Sequence, residues 1–292
     1  MSSAETMARP STTSPEEVQP PRQRRSVWRR LAAADWRVQL GRLVVLAAVM
    51  LLWQVAVVQE WVEPLYAAGP AETLTRLWEL LGESTFYTNL RVTLGEAVGG
   101  WVLGSTLGLV LGLALGRWTR VAAVFDPFFT FVNATPKIAL APFFILWFGI
   151  GQTSKVVLAA TIVLFIVQVP TQAAVRTVNP DLNTVVTSMA ATEMQKFRKV
   201  VLPGIMAPVF GALRLAMVYA LLAAVLGEFI AAQLGLGQQL ITATNQFDMP
   251  TAFALLIVLA ALAVIINSAL SLVERRLLRW QNVDSGGRTV TI

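Results

Sequence analysis

Six apolar runs separated by short polar stretches occupy most of this chain, at about residues 43–58, 92–115, 124–150, 156–175, 208–232 and 251–273. A helical bilayer crossing needs roughly 20 predominantly apolar residues. The first run is a little short, and the others fit. The third carries Pro127, Pro136 and Pro142, which predicts a kinked or broken helix. Such a break is tolerated in a membrane only where protein or a water-filled cavity covers the freed backbone. The pattern therefore predicts an all-α integral membrane protein with six transmembrane helices. The second run, GGWVLGSTLGLVLGLALG, spaces Gly100, Gly104, Gly108, Gly112 and Gly116 four residues apart. They form one stripe along a helix and let a neighbouring backbone come close. Internal helix packing is the plainer reading of the stripe, and a sliding or gating interface the sharper one.

Between the fourth and fifth apolar runs lies a polar hairpin, NPDLNTVVTSMAATEMQKFRKVVLP, residues 179–203. Asn179 before Pro180 reads as an N-cap followed by a residue suited to the first helical position. A short helix is expected over about residues 181–190, with Leu182, Val185, Val186 and Met189 on one side at spacings of three and four. Thr192 and Gln195 form a T-x-x-Q capping box that starts a second helix. Pro203–Gly204 is expected to end that second piece. Two capped helices against the face of a membrane domain form a docking element, and they imply that something outside the chain drives it.

Composition and charge sharpen this picture. The chain has 292 residues, is 55% hydrophobic and carries only 14% charged residues, against about a quarter in soluble domains. It has no Cys and no His, so disulfides and thiolate metal sites are excluded, and the commonest general base is missing. The net charge of +6 follows membrane topology better than a groove for nucleic-acid phosphates. Arg22, Arg24, Arg25, Arg29, Arg30, Arg37 and Arg42 precede the first run. Arg117 and Arg120, then Arg176, Lys196, Arg198 and Lys199, then Arg275, Arg276 and Arg279 occupy alternate connections. The intervening connections hold mainly acids, Glu60, Glu63, Glu72, Glu79, Glu83 and Asp248, with Arg76, Arg91 and Lys155 among their few cations. By the positive-inside rule both termini and the hairpin are expected on the cytoplasmic side. QEWVEP after the first run does not resemble a small-residue cleavage site, so an uncleaved first helix is expected.

Motifs for autonomous chemistry are missing. No G-x-x-x-x-G-K-[ST] phosphate loop, HExxH or GxSxG occurs, and no paired carboxylates lie within an apolar run. Lone ionisable residues in the runs include Glu96, Lys137, Arg214 and Glu228. Intramembrane charges are costly and usually face a cavity or a partner. Lys137 reads either as a snorkelling residue or as a contact for an anionic solute. Glu228 reads as a residue of the outer mouth or of the path. Arg214 is not its expected partner, since fourteen residues of helix rise about 21 Å. Asn133, Gln168 and Gln172, with Thr135, either bond between helices or line a path.

The hairpin resembles the cytoplasmic EAA loop of binding-protein-dependent ABC transporter permeases, whose pattern is roughly EAA-x3-G-x9-I-x-LP. The matches are Ala191, Thr192, Gln195, Phe197, Arg198, Val200, Val201, Leu202, Pro203 and Gly204. The third run, NATPKIALAPFFILWFGIG, is similar to the subfamily importing nitrate, sulfonates and taurine, at Pro136, Lys137, Ala139, Leu140, Ala141, Pro142, Leu146, Trp147, Phe148, Gly149 and Gly151. GALRLA at 211–216, Glu228 and Gly235–Leu236–Gly237 also fit. The likeness covers about residues 85–280. Thr184, Val185 and Val186 stand where the family has Glu-Ala-Ala, and Ala190 where it has Gly. Either the first short helix therefore runs on, or the turn is strained by roughly 1 kcal/mol.

The resemblance implies a type I ABC importer architecture of the MetI kind and a permease subunit that is not itself an enzyme. The solute would be small, anionic or zwitterionic, and of the nitrate, sulfonate or taurine class. It implies the division 1–36 basic arm, largely disordered; 37–84 first helix and outer loop; 85–280 permease domain with its coupling loop 179–203; and 281–292 cytoplasmic tail. Leu182, Thr184, Val185, Val186, Met189, Ala190, Ala191, Thr192, Gln195, Phe197 and Pro203 would couple to an ATPase. Asn133, Lys137, Gln168, Gln172 and Glu228 are candidates for the path. No cofactor is expected on this chain, ATP and magnesium belonging to the partner subunit. The implied partners are ABC ATPase subunits, an extracytoplasmic solute-binding protein, a second permease copy, the same or different, and the lipid bilayer of a bacterial inner membrane. The competing class, an ion-coupled secondary transporter or channel, would need mid-membrane coupling residues and usually an internal repeat.

Overall fold

The structure, a computed structural model, describes residues 25–178 and 180–278, with side chains at 36, 38–178 and 184–278. The disordered arm and the C-terminal tail expected from the sequence lie largely outside the described residues. Among those residues all regular structure is helical. α1 (Arg25–Val58) is followed by α2 (Pro70–Leu80), α3 (Ser84–Arg117), α4 (Thr119–Ala134), α5 (Ala141–Phe148) and α6 (Gln152–Arg176). Then come α7 (Pro180–Ser188), α8 (Glu193–Lys196), α9 (Leu202–Ile230), α10 (Leu236–Asn245) and α11 (Met249–Leu277). Five helices are long and apolar enough to cross a bilayer, and six crossings result if α4 and the segment Lys137–Phe148 form one broken span bent by 82°. The break sits at Thr135–Pro136, where the residue before a proline is pushed out of the helical region. Thr135 has ψ 134.

The chain divides into two units, Met1–Val55 and Ala56–Ile292. In the first, the apolar residues of α1 are exposed on every side, including Leu43, Val44, Val45, Leu46 and Val49. A helix apolar all round is suited to lipid.

In the second unit α6 is the central post, with α3 and α9 packed along it. Gly100, Gly104, Gly108, Gly112 and Gly116 are all buried. A Cβ on any of them would run into Ala159, Ala160, Val163, Leu164, Thr171 or Val175 of α6. The stripe is thus the surface on which two backbones meet, and its contribution is dispersion from close approach. Val163 and Val167 of α6, which also face the stripe, pack against Ala216 and Ala220 of α9. Trp101 donates its indole N–H to the Leu213 carbonyl at 2.9 Å, joining α3 to α9. Leu80, Phe86, Leu236, Leu240 and Leu255 join α2, α3, α10 and α11 in a separate core at one end.

α1 begins at Arg25, within the basic segment. The connections before α3 and after α9 hold α2 and α10. α2 begins with Pro70 at its first position, and Glu72 accepts a hydrogen bond from the Gly69 N–H at 3.3 Å. Pro203–Gly204 does not end the second piece of the hairpin. The helix runs through a π-helical turn, Phe197–Val201, directly into α9. Pro203 lies just past the π-helical turn, inside the continuous helix, so its missing N–H leaves one carbonyl of that turn without its usual helical partner.

Candidate functional site

The hairpin is built from two caps. α7 closes with the Ala190 N–H donating to the Thr187 carbonyl at 3.0 Å and the Ala191 N–H to the Val186 carbonyl at 3.2 Å. That pair of bonds is a Schellman motif. It requires a left-handed residue, and Ala190 holds φ 55. Of the two alternatives left by the missing Gly, the structure takes the strained turn.

Thr192 then caps α8. Its hydroxyl accepts from the Gln195 N–H at 3.3 Å, and its own N–H donates to the Gln195 side chain at 2.9 Å. Glu193, beside this cap, pairs with Lys196 at 2.8 Å and with Arg117 at the end of α3. Hydrogen bonds from Lys196, then from Arg117, hold the Glu193 carboxyl below its ordinary range. The tip presents apolar side chains to solvent: Val185 is 56% and Met189 76% exposed, with Met194 beside them. Thr184 and Gln195 are also exposed, while Val186, Ala191, Phe197 and Pro203 are half-buried. The Leu182 side chain and Asn179 lie outside the described residues.

A second feature lies between α4 and α6, a cavity of about 390 Å³ whose wall includes Asp126, Asn133, Phe165, Gln168, Gln172 and Arg176. Gln168 donates to Gln172 at 2.5 Å, and Gln172 to Asp126 at 3.1 Å. Asp126 faces Arg176 at 3.6 Å. Lys137 reaches back to the carbonyl and side-chain oxygens of Asn133, at 2.7 and 3.0 Å, and its ammonium stands 4.8 Å over the Phe165 ring. Four of the five path candidates, Asn133, Lys137, Gln168 and Gln172, are therefore brought together. Asp126, Arg176 and Phe165 join them without having been singled out. Asp126 was obscured because it opens a run apolar enough to hide one charge.

Glu228 is placed elsewhere. It is 1% exposed and sits at the far end of α6 from the hairpin. It accepts from the Thr93 hydroxyl at 2.6 Å and from the Gly237 N–H at 2.6 Å. Thr93 in turn accepts from the Leu236 N–H at 2.8 Å, and the Gly235 N–H bonds Asn89 at 3.0 Å. Gly235 has φ 128 and leaves no room for a Cβ beside the Glu228 carboxylate. The carboxylate thus pins the loop that starts α10. Arg214 pairs with Glu274 at 3.1 Å. Lys155, expected in an outer connection, is buried at 3% exposure and faces Glu96, itself 0% exposed, at 3.6 Å.

Comparison with known proteins adds the following. Residues 104–279 match the family model described as binding-protein-dependent transport system inner membrane component. The chain is 34% identical over 255 residues to the riboflavin transport system permease protein RibX of Chloroflexus aurantiacus, covering 87% of this chain and 94% of that protein. It is 28% identical over 262 residues to the taurine transport system permease protein TauC of Escherichia coli K12, covering 88% and 94%. Among solved structures, a chain of a bacterial ABC transporter involved in the import of the acidic polysaccharide alginate aligns with TM-score 0.60 at 15% identity, covering 86% of this chain and 99% of that one. A chain of the MetNI methionine ABC transporter in an inward-facing conformation aligns with TM-score 0.54 at 19% identity, covering 70% and 98%.

Proposed function

Since the chain belongs to the family of binding-protein-dependent transport system inner membrane components, we propose that the α7–α8 hairpin is where an ATPase grips it, and that the cavity between α4 and α6 is its share of the solute path. The chain is a multi-pass, non-enzymatic permease subunit of an ABC importer, with ATP hydrolysis in a separate subunit and a binding protein as the delivering partner. Six crossings put both termini and the hairpin in the cytoplasm, and a second permease copy, identical or not, closes the path. ATP and magnesium stay with the ATPase, and this chain binds no cofactor.

The single observation carrying the docking role is the doubly capped hairpin itself. A Schellman turn strained at Ala190, a reciprocal Thr192–Gln195 box and an unbroken π-to-α9 connection hold exposed apolar residues on a short rigid lever. Surface adhesion alone requires no such order. A push on that lever travels along α9, and nucleotide binding acts by favouring one of two helix packings.

The solute is a small anion or zwitterion of the sulfonate and taurine class. Its supports are the relatives' names and Lys137, which takes part in none of the ion pairs among the described residues. The test is uptake into vesicles reconstituted with the candidate ATPase and binding protein. Replacing Thr192 and Gln195 together by Ala should leave the permease inserted but weaken ATPase co-purification and abolish ATP-dependent uptake. Unchanged co-purification would overturn the docking role, and uptake without any ATPase would indicate an ion-coupled carrier.

A further inference from the structure

Two cations mark the ends of the cavity between α4 and α6. Lys137 stands over the Phe165 ring beside the break in the third span. Arg176 lies in the last turn of α6, next to the hairpin. Eleven residues of α6 separate Phe165 from Arg176, roughly 16 Å of helix rise. The two cations are held differently. Lys137 bonds the neutral oxygens of Asn133, whereas Arg176 faces a carboxylate, Asp126 of α4, at 3.6 Å. Among the described residues Asp126 is the one acid in the cavity wall.

Asp126 also orients the amides of that wall. A carboxylate only accepts, so Gln172 turns its NH2 group to Asp126, at 3.1 Å, and leaves its oxygen for the Gln168 NH2 group, at 2.5 Å. The chain of bonds ends there, since the buried Gln168 oxygen receives none. One carboxylate thus engages Arg176 and Gln172 directly and fixes Gln168 through them. Guanidinium and amide N–H groups are the donors that a sulfonate or carboxylate would take. Asp126 does not hold them tightly. Its side chain is 44% exposed and that of Arg176 40%, and a half-exposed pair of this kind adds little to stability. A tie made only to fasten α4 to α6 would be stronger away from water, yet this one faces the cavity.

We propose that Asp126 is an internal counter-anion of the solute path. It occupies Arg176 and the Gln172 amide in place of the solute's anionic group, yields them as the solute reaches the hairpin end, and reclaims them to release it. The role rests on the cavity being the path of an anionic solute, and it makes Asp126 a residue that sets release rather than capture.

Binding of ethanesulfonate to purified full-length protein is read from the rise of the thermal unfolding midpoint with its concentration, at constant pH and ionic strength. Asp126→Asn keeps the side chain's size and removes its charge. It should bind ethanesulfonate roughly fivefold more tightly than wild type, the equivalent of one exposed ion pair set free. Asp126→Glu should return to the wild-type affinity, and Arg176→Gln added to Asp126→Asn should cancel the gain. The neutral isostere ethyl methyl sulfone should act equally on wild type and Asp126→Asn, which a change in packing would not produce. In reconstituted vesicles Asp126→Asn should lower the maximal rate of ethanesulfonate uptake, because release is slowed. Equal affinity in wild type and Asp126→Asn, with weaker binding in Lys137→Met, overturns the counter-anion role and leaves the cavity as the solute path. An affinity that neither Asp126→Asn nor Lys137→Met changes, or no binding by any of these proteins, removes the cavity from the path and the counter-anion with it.

Discussion

Ala190 shows how a single substituted position can be read in advance without being resolved. The missing Gly was visible in the sequence, but a helix running on and a strained turn predict the same letters; only φ 55 and the two closing hydrogen bonds decide between them. A non-Gly residue in the left-handed region costs about 1 kcal/mol, partly offset by the greater chain entropy that Gly loses on folding. Ala190→Gly should therefore slow amide exchange at residues 189–192, and an unchanged exchange rate would mean that the turn stores no strain. The Thr93 hydroxyl was not legible at all, because its partner Glu228 is 135 positions away. It donates to the carboxylate and accepts from the Leu236 N–H, so removing it leaves buried groups unpaired on both sides. Thr93→Val should destabilise by about 1–3 kcal/mol, and Thr93→Ser should restore most of this in thermal unfolding. Equal effects of the two variants would assign the loss to packing instead.

Among the elements, the glycine stripe was the most legible, since a spacing of four maps directly onto one face of a helix. Its partner was not legible: nothing in the letters says that α6, rather than another apolar run, lies against it. The geometry makes the stripe testable residue by residue. At Gly104 an added Cβ meets the Ala160 backbone and Val163, while Gly95 on the same helix has open space around it. Gly104→Ala should cost about 1–3 kcal/mol by overpacking. Gly95→Ala should gain about 0.5–1 kcal/mol from helix propensity. Unfolding midpoints moving in opposite directions check both, and a neutral Gly104→Ala would show that the two backbones can part. The capping box was legible because both halves of its bonding lie within four residues. The continuation through Pro203 was misread because proline usually stops a helix from inside, and the letters do not show the π-helical turn that precedes it here and lets the helix run on. The ion pair from Glu193 to Arg117 joins α8 to α3, which hydrophobic periodicity cannot anticipate. Its carboxyl is held low by its cationic partners. Its contribution is therefore present at neutral pH and fades on acidification, as the carboxyl protonates.

For the whole molecule, the number of apolar runs was plain, but whether the third crosses the bilayer depends on a bend of 82° that composition only hints at. The bend decides the sidedness of everything after it. α2 precedes α3, the bent pair and α6, whereas the hairpin tip follows them. If the bent pair crosses, three passages separate the two points and they lie on opposite faces; if it re-enters on the side it came from, two passages separate them and they share a face. The chain has no cysteine, so single replacements report cleanly. Trp78 is 80% exposed and Met189 is exposed at the hairpin tip, which makes both positions accessible and tolerant. Trp78→Cys in intact cells should react with a membrane-impermeant maleimide from outside, and Met189→Cys only after the membrane is opened. Labelling of both from outside would remove one crossing. It would place the hairpin on the face where no ATPase can reach it, and the importer reading of the α7–α8 lever would fail with it.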